Sequence, residues 1–487
     1  MHLASLSDRL RVTFVCRHWR RTFLQHATLW SQLHLTGNMD RFLAKALLGR
    51  VKGSPLDITA DYRGSPIDVT LLSPFAQQIR SLELKHATSD EVQGLSMAIS
   101  GPLPLLHTLE IDATGYLGGP SSLVAPTLPL FEHAANLKDF VLEIDELPSL
   151  RHFTFPNLTT LDFSTSVITY PVSELLDFLE ASLALQWIRV RIEADRFHED
   201  VPPGRVIVLP YVKTFCLDIT SYGPGCEIAT HISCPFAKRV EFAHGLEGAG
   251  DNVPKAIYPP STSWDTIVHQ YTKGTAERVV LEMTMVGYFN IECSIAFRSS
   301  NRATLKLRYT HYTAEVKEEM EEILEERLPR IFSQAFRTIR GHPLLANVRH
   351  ISIRGGNFIT GNLELVAKGV GQLFGSMGPL ESLSLDCCDL RPYLDAFLDT
   401  PLFPEAIQPA SFPPIKELAI INPVQSFYDD KVYAAAIVKF ARSQYAREVP
   451  FERVVLRAIV PPLVVDELVA FVNTVEWYER LSDEDKS

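Results

Sequence analysis

The sequence predicts an α/β fold in which strand–helix units repeat and stack into a solenoid. Three observations carry that expectation. A pattern apolar-x-x-apolar-x-apolar recurs along the chain, and the stretches between recurrences have helical periodicity. In addition, 487 residues with 46% hydrophobic content exceed what one ordinary core accommodates, so several domains or a repeat array are expected.

The pattern falls at Trp30/Leu33/Leu35, Ile79/Leu82/Leu84, Leu106/Leu109/Ile111, Leu137/Phe140/Leu142, Leu158/Leu161/Phe163, Leu185/Ile188/Val190 and Val212/Phe215/Leu217. A shorter relative, Leu56 with Ile58, lies between the first two. It returns at Val348/Ile351/Ile353, Leu380/Leu383/Leu385, Ile415/Leu418/Ile420 and Phe451/Val454/Leu456. The period is mostly 21 to 31 residues in the first half and 32 to 36 in the last part. Residues 39–51, 171–184, 362–376, 428–446 and 463–479 read as helices between these strands. A strand followed by a helix cannot bury its apolar side alone, so such units stack on their neighbours. These lengths and this pattern resemble leucine-rich repeats, which implies an irregular array over 38–244 and a longer-period one over 341–487.

Two regions interrupt the period. Residues 245–276 are rich in Pro and Gly and read as a loop or linker. Residues 277–340 contain RVVLEMTMV, NIECSIAF and ATLKLRY, three closely spaced strand-like runs that suit an antiparallel insert. A long charged helix, EVKEEMEEILEERL and onward, is expected after them, with Met320, Ile323, Leu324 and Leu328 as its buried stripe.

The N-terminal stretch carries the most specific local signal. Ser7 or Asp8 suits a helix N-cap, and Leu10, Phe14, Val15, Trp19, Phe23 and Leu24 recur at helical spacing to about Gln25. Arg9, Arg11, Arg17, Arg20 and Arg21 occupy the other side, and Leu29, Trp30, Leu33 and Leu35 form a second buried element. About thirty residues cannot close a core alone, so this face must bury against its own chain or a partner. The runs Val15-Cys16-Arg17-His18-Trp19-Arg20-Arg21 and Leu29-Trp30-Ser31-Gln32-Leu33-His34-Leu35 resemble the second half of an F-box, VCRxWR followed by LWxxLxL. The family's opening Leu-Pro helix has no counterpart in Met1–Ser5, so residues 1–37 are expected to be a partial module. With the repeats, the likeness is to the divergent fungal-type F-box proteins with a leucine-rich-repeat body. It implies a substrate-recognition subunit of a cullin-RING ubiquitin ligase, with Leu10, Val15, Trp19 and Trp30 in the small core and adaptor contact. The alternative is a repeat scaffold whose degenerate F-box serves only as a cap.

Charge separates along the chain. Residues 1 to 52 hold nine Lys/Arg against two Asp/Glu, a balance of +7, so the remainder carries −19 to reach the net −12. An acidic body disfavours nucleic acid and favours a basic protein partner. The seven cysteines are scattered without a CxxC pair, which fits reduced thiols in the cytoplasm or nucleus rather than a zinc module or disulfide framework. No run of about eighteen apolar residues is present, so no membrane span is expected.

Catalytic signatures are missing from the sequence: GxxxxGK[ST], HExxH and GxSxG do not occur. Glu318-Glu319 and Glu325-Glu326 read as a solvated helix face, and Cys387-Cys388 as small residues after a strand. No enzymatic activity, cofactor or metal is expected. What remains is a binding surface. Side chains alternate along a strand, so residues flanking the last two apolar positions share one face. In the first half these are Glu83, Glu110, Asp112, Asp139, Glu143 and Asp162, with Trp187, Arg189 and Arg191 beside them. The late strands add His350, Arg354, Asp386, Glu417, Arg453 and Arg457. Trp187, Arg189, Arg191, Glu110 and Asp162 are the candidate substrate contacts, since an aromatic next to arginines is typical of binding hot spots.

Overall fold

The apolar runs become strands because their side chains have one direction in which to leave water. In the computed structural model all three positions of each of the eleven runs are buried. The described residues are 11, 14–63, 66–99, 101–113, 134–147, 149–151, 153–168, 171–192, 204–219, 228, 231–245, 278–286, 290–298, 304–312, 347–355, 380–386, 394, 414–421, 430–457 and 462–478. The chain divides into two compact units, Met1–Ala237 and Lys238–Ser487.

In the first unit the elements run α1 (Arg17–Gln25), β1 (Gln32–Thr36), α2 (Arg41–Leu48), β2 (Leu56–Asp61), β3 (Ile79–Lys85), α3 (Ser89–Ala98), β4 (Thr108–Ala113), β5 (Asp139–Leu147), β6 (Thr160–Ile168), α4 (Val172–Ala181), β7 (Trp187–Ile192), β8 (Ile207–Val208), β9 (Thr214–Ile219) and β10 (Ile232–Ser233). Strands β1 to β7 and then β9 pair in chain order, each parallel to the next. Strands β8 and β10 pair separately, also in parallel. The fold is therefore mixed α/β with a large parallel sheet. Its register aligns Leu33, Ile58, Leu82, Leu109, Phe140, Leu161, Ile188 and Phe215 in one buried row.

A second regularity precedes the strands. The amide of His107 donates to the carbonyl of Arg80 (2.8 Å), Lys138 to His107 (2.8 Å), Thr159 to Lys138 (2.8 Å), Gln186 to Thr159 (2.8 Å) and Lys213 to Gln186 (2.7 Å). The same backbone bond thus recurs at the equivalent place in successive units and satisfies groups that would otherwise be orphaned beside the core.

The second unit contains β11 (Arg239–Gly245), β12 (Arg278–Val286), β13 (Asn290–Arg298), β14 (Thr304–Tyr312), β15 (His350–Gly355), β16 (Leu380–Asp386), β17 (Ile415–Ile421), α5 (Asp430–Ala446), β18 (Arg453–Arg457), α6 (Pro462–Val469) and β19 (Thr474–Trp477). The expected meander is present, with β13 antiparallel to both β12 and β14. It does not stand apart from the parallel strands: β14 pairs in parallel with β11, and β12 with β15. From β15 the order continues through β16, β17 and β18 to β19, all parallel.

Several expectations change. The helix expected to run unbroken to Gln25 is interrupted at Cys16, which is extended (φ −160°, ψ 169°), and α1 begins at Arg17. The Cys16 sulfur accepts from the Trp19 amide at 3.4 Å, so the residue acts as N-cap. Phe14 closes a separate turn by donating its amide to Arg11. Residues 463–479 do not form one helix: α6 ends at Val469, and Thr474–Trp477 add a strand. Helix α3 was not expected at all, although Thr88 and Glu91 form a capping box. The linker beyond Gly245, the helix at 362–376 and the long charged helix lie outside the described residues.

Candidate functional site

An all-parallel sheet ordinarily has both faces covered and near-continuous apolar strands. Here β4 and β7 alternate between buried and half-buried positions, so the sheet of the first unit buries one face and turns a polar one outward. That polar face holds all five expected substrate contacts. Register places Thr59, Glu83, Glu110, Val141, Asp162, Arg189 and Cys216 in one row across β2 to β9. Asp139, Thr160 and Trp187 form part of a second row, and Glu143, Ser164, Arg191 and Asp218 part of a third.

The charges on this face are unequally matched. Glu83 accepts a hydrogen bond from Thr59 Oγ1 (2.6 Å) and pairs with Lys85 Nζ (2.7 Å). Burial alone would raise its pKa, but the bonds to Lys85 and Thr59 outweigh burial and lower it. Glu110 lacks such relief. Burial, and next the facing Glu83 carboxylate, push its pKa up, with Lys85 opposing. Asp162 is also raised by burial, against the attraction of Arg189 and Arg191. Arg189 Nη1 reaches Asp162 only at 4.0 Å, and Arg191 Nε lies 3.6 Å from Asp218. Lys85, Thr59, Val141 and Asp218 were not singled out in the sequence, because only the register reveals which residues face one another across strands.

On the corresponding face of the second unit, charges of the late strands pair with one another among the described residues. Arg453 holds Glu476 through two bonds (2.9 and 2.6 Å) and reaches Glu417 at 3.1 Å. His350 Nδ1 lies 2.9 Å from Ser382 Oγ.

The adaptor candidates are separated by the structure rather than gathered. Val15 is 67% exposed and Trp19 46%, with Phe14 beside them at 74%. Trp30 is 0% exposed, which removes it from any external contact. Its indole N–H donates to the Phe23 carbonyl at 2.9 Å, and the Arg50 guanidinium lies over its ring at 4.9 Å. Trp30 is therefore the interior anchor tying α1 to the end of the sheet, with Phe23 buried and Trp19 stacked on it at 6.0 Å. Leu10 lies outside the described residues. Among the described residues no group of three or more potential metal ligands occurs, and no helix is long and apolar enough to cross a membrane. No protein-family model matches the chain, and no curated protein matches it.

Proposed function

We propose that this chain is a substrate-recognition subunit of a cullin-RING ubiquitin ligase, with an F-box-like helical module followed by a leucine-rich-repeat solenoid. The observation that carries this reading is the exposed apolar group at Phe14, Val15 and Trp19, on a module anchored by the buried Phe23 and Trp30. Apolar side chains held outward on the first turn of an anchored helix (Trp19) and on the turn leading into it (Phe14 and Val15) support docking on a partner surface. The resemblance of VCRHWRR and LWSQLHL to the F-box supports the adaptor of such a ligase as that partner. The in-register strands and the recurring backbone bond support the repeat reading of the body. The polar sheet face would hold a protein substrate, and the chain would act by proximity, raising the effective concentration of a substrate lysine beside the ubiquitin carrier.

The complete burial of Trp30 favours a second reading, in which the module only closes the end of the sheet, since terminal repeats need a cap. Capture of the purified adaptor by the full chain separates the two. The wild-type chain should capture it, and the Val15→Ala/Trp19→Ala double variant should bind at least about tenfold more weakly, as for loss of a central aromatic contact. No capture by folded wild-type protein leaves the cap.

A further inference from the structure

Most charges on the polar face of the first unit answer one another. Arg80 holds Asp57 through two bonds (2.9 and 2.6 Å), Arg63 holds Asp61, Lys85 and Thr59 hold Glu83, and Arg191 faces Asp218. Glu110 is not so answered among the described residues. Its carboxylate has no hydrogen bond or ion pair among the described residues, and its neighbours in register are Glu83 on one side and Val141 on the other. Asp162 lies one strand beyond Val141, and the exposed Glu143 lies next along β5. Lys85 is committed to Glu83 at 2.7 Å, so a cation of its own is what Glu110 lacks. Three strands from β4, the opposite chemistry is presented: Trp187, Arg189 and Arg191 project from β7 on the same face, all half-buried.

We infer that this face docks an extended segment of a partner protein running across the strands, with a lysine or arginine seated at Glu110 and an acidic residue at Arg189, whose only ion pair among the described residues is the long 4.0 Å approach to Asp162. The register sets the distance between the two. From β4 to β7 there are three interstrand steps of about 4.8 Å, roughly 14 Å, which an extended chain at about 3.3 Å per residue covers in about four residues. Between its ends the segment passes first over Val141, where a small or apolar residue fits best, and then over Asp162. Charge complementarity excludes the obvious competitors: a uniformly acidic segment meets Glu83, Glu110 and Asp162, and a nucleic-acid backbone meets the same row on a chain of net charge −12. The inference rests on the reading of this face as a protein-docking surface, but not on the identity of the adaptor.

The test uses the full chain and an array of decapeptides in a serine–alanine background. Each peptide carries one arginine and one glutamate, in both orders, at separations of about two to seven positions. Binding should peak at a separation of about four. Glu110→Gln and Arg189→Gln should each weaken the best peptide by about five- to tenfold, the loss expected for one partly exposed charge contact. Glu110→Lys should transfer preference to the peptide in which glutamate replaces the arginine. A signal independent of separation, indifference to both Gln variants, or no binding by folded protein would overturn the inference. Adaptor capture reads the N-terminal module separately, so either reading can fail while the other stands.

Discussion

Asp61 and Glu110 stand on the same sheet face and titrate in opposite senses. The Arg63 guanidinium hydrogen-bonds the Asp61 carboxylate and, against burial, holds its pKa down to about 2. A depressed carboxylate contributes stability that is complete above its unfolded pKa of about 3.9 and disappears as pH falls through the folded value. Asp61→Asn should therefore cost about 1 kcal/mol near neutrality, modest because Arg63 is itself exposed, with the cost shrinking below about pH 4 and gone only at about pH 1. Glu110 behaves inversely, because burial and then Glu83 disfavour its charged form, while Asp112 and Asp162 add to the repulsion and Lys85 relieves part of it. Ionisation of Glu110 in the folded state costs free energy above its raised pKa. Glu110→Gln should accordingly raise the melting temperature by about 1–2 °C at pH 7, a small shift because the site is partly exposed, and the gain should vanish below about pH 4. A binding residue whose removal stabilises the fold is the expected signature of a site that trades stability for recognition. Glu110 and Arg189 were legible in the sequence as members of an alternating strand. Their pairing states were not, because Thr59, Glu83, Glu110 and Asp162 are brought to one row only through register.

At the scale of elements, α1 shows how one residue can change role. The F-box resemblance places Trp30 with Trp19 in the small core and the adaptor contact, and the two separate: Trp30 is fully buried, with its indole bonded to the Phe23 carbonyl, while Trp19 stays half outside. Trp30→Ala should cost about 3–5 kcal/mol in denaturant unfolding, the range for emptying a large aromatic site. Trp19→Ala should cost far less stability while weakening adaptor capture. Helix α3 depends on its first turn: Glu91 accepts from the Thr88 amide at 2.7 Å, and Thr88 Oγ1 accepts from the Glu91 amide at 3.3 Å. Thr88→Ala should lose about 1 kcal/mol by the same measurement. The Thr-Ser-Asp-Glu run was the available signal for this helix, and it went unread because the following residues lack a strong apolar stripe. The break at Cys16 had no such signal. Val15 and Cys16 sit within helical spacing, and the extended backbone of Cys16, with its sulfur capping the Trp19 amide, marks where α1 begins.

Across the whole molecule, charge is polarised along the chain, +7 over residues 1 to 52 and −19 over the rest. The two proposed contacts should therefore differ in salt dependence. Association of the arginine–glutamate peptide with the sheet face should slow by about tenfold between low and high ionic strength, since steering by an acidic surface is screened beyond the Debye length. Adaptor capture through Val15 and Trp19 should change little over the same range, because its contact is apolar. Stopped-flow measurements on both complexes check this contrast. By itself the sequence determined the α/β class, the positions of the repeated strands and the inward direction of their apolar side chains. Period and hydrophobicity are properties of a few adjacent residues, and burial follows them wherever the strand is laid down. Only the tertiary structure decided that the meander joins the parallel strands, that the Trp30 indole bonds the Phe23 carbonyl, and that Glu110 faces Glu83 and Val141. Those outcomes depend on interstrand hydrogen bonds and packing between residues distant in the chain, which bring side chains from separate repeats within one another's electrostatic reach.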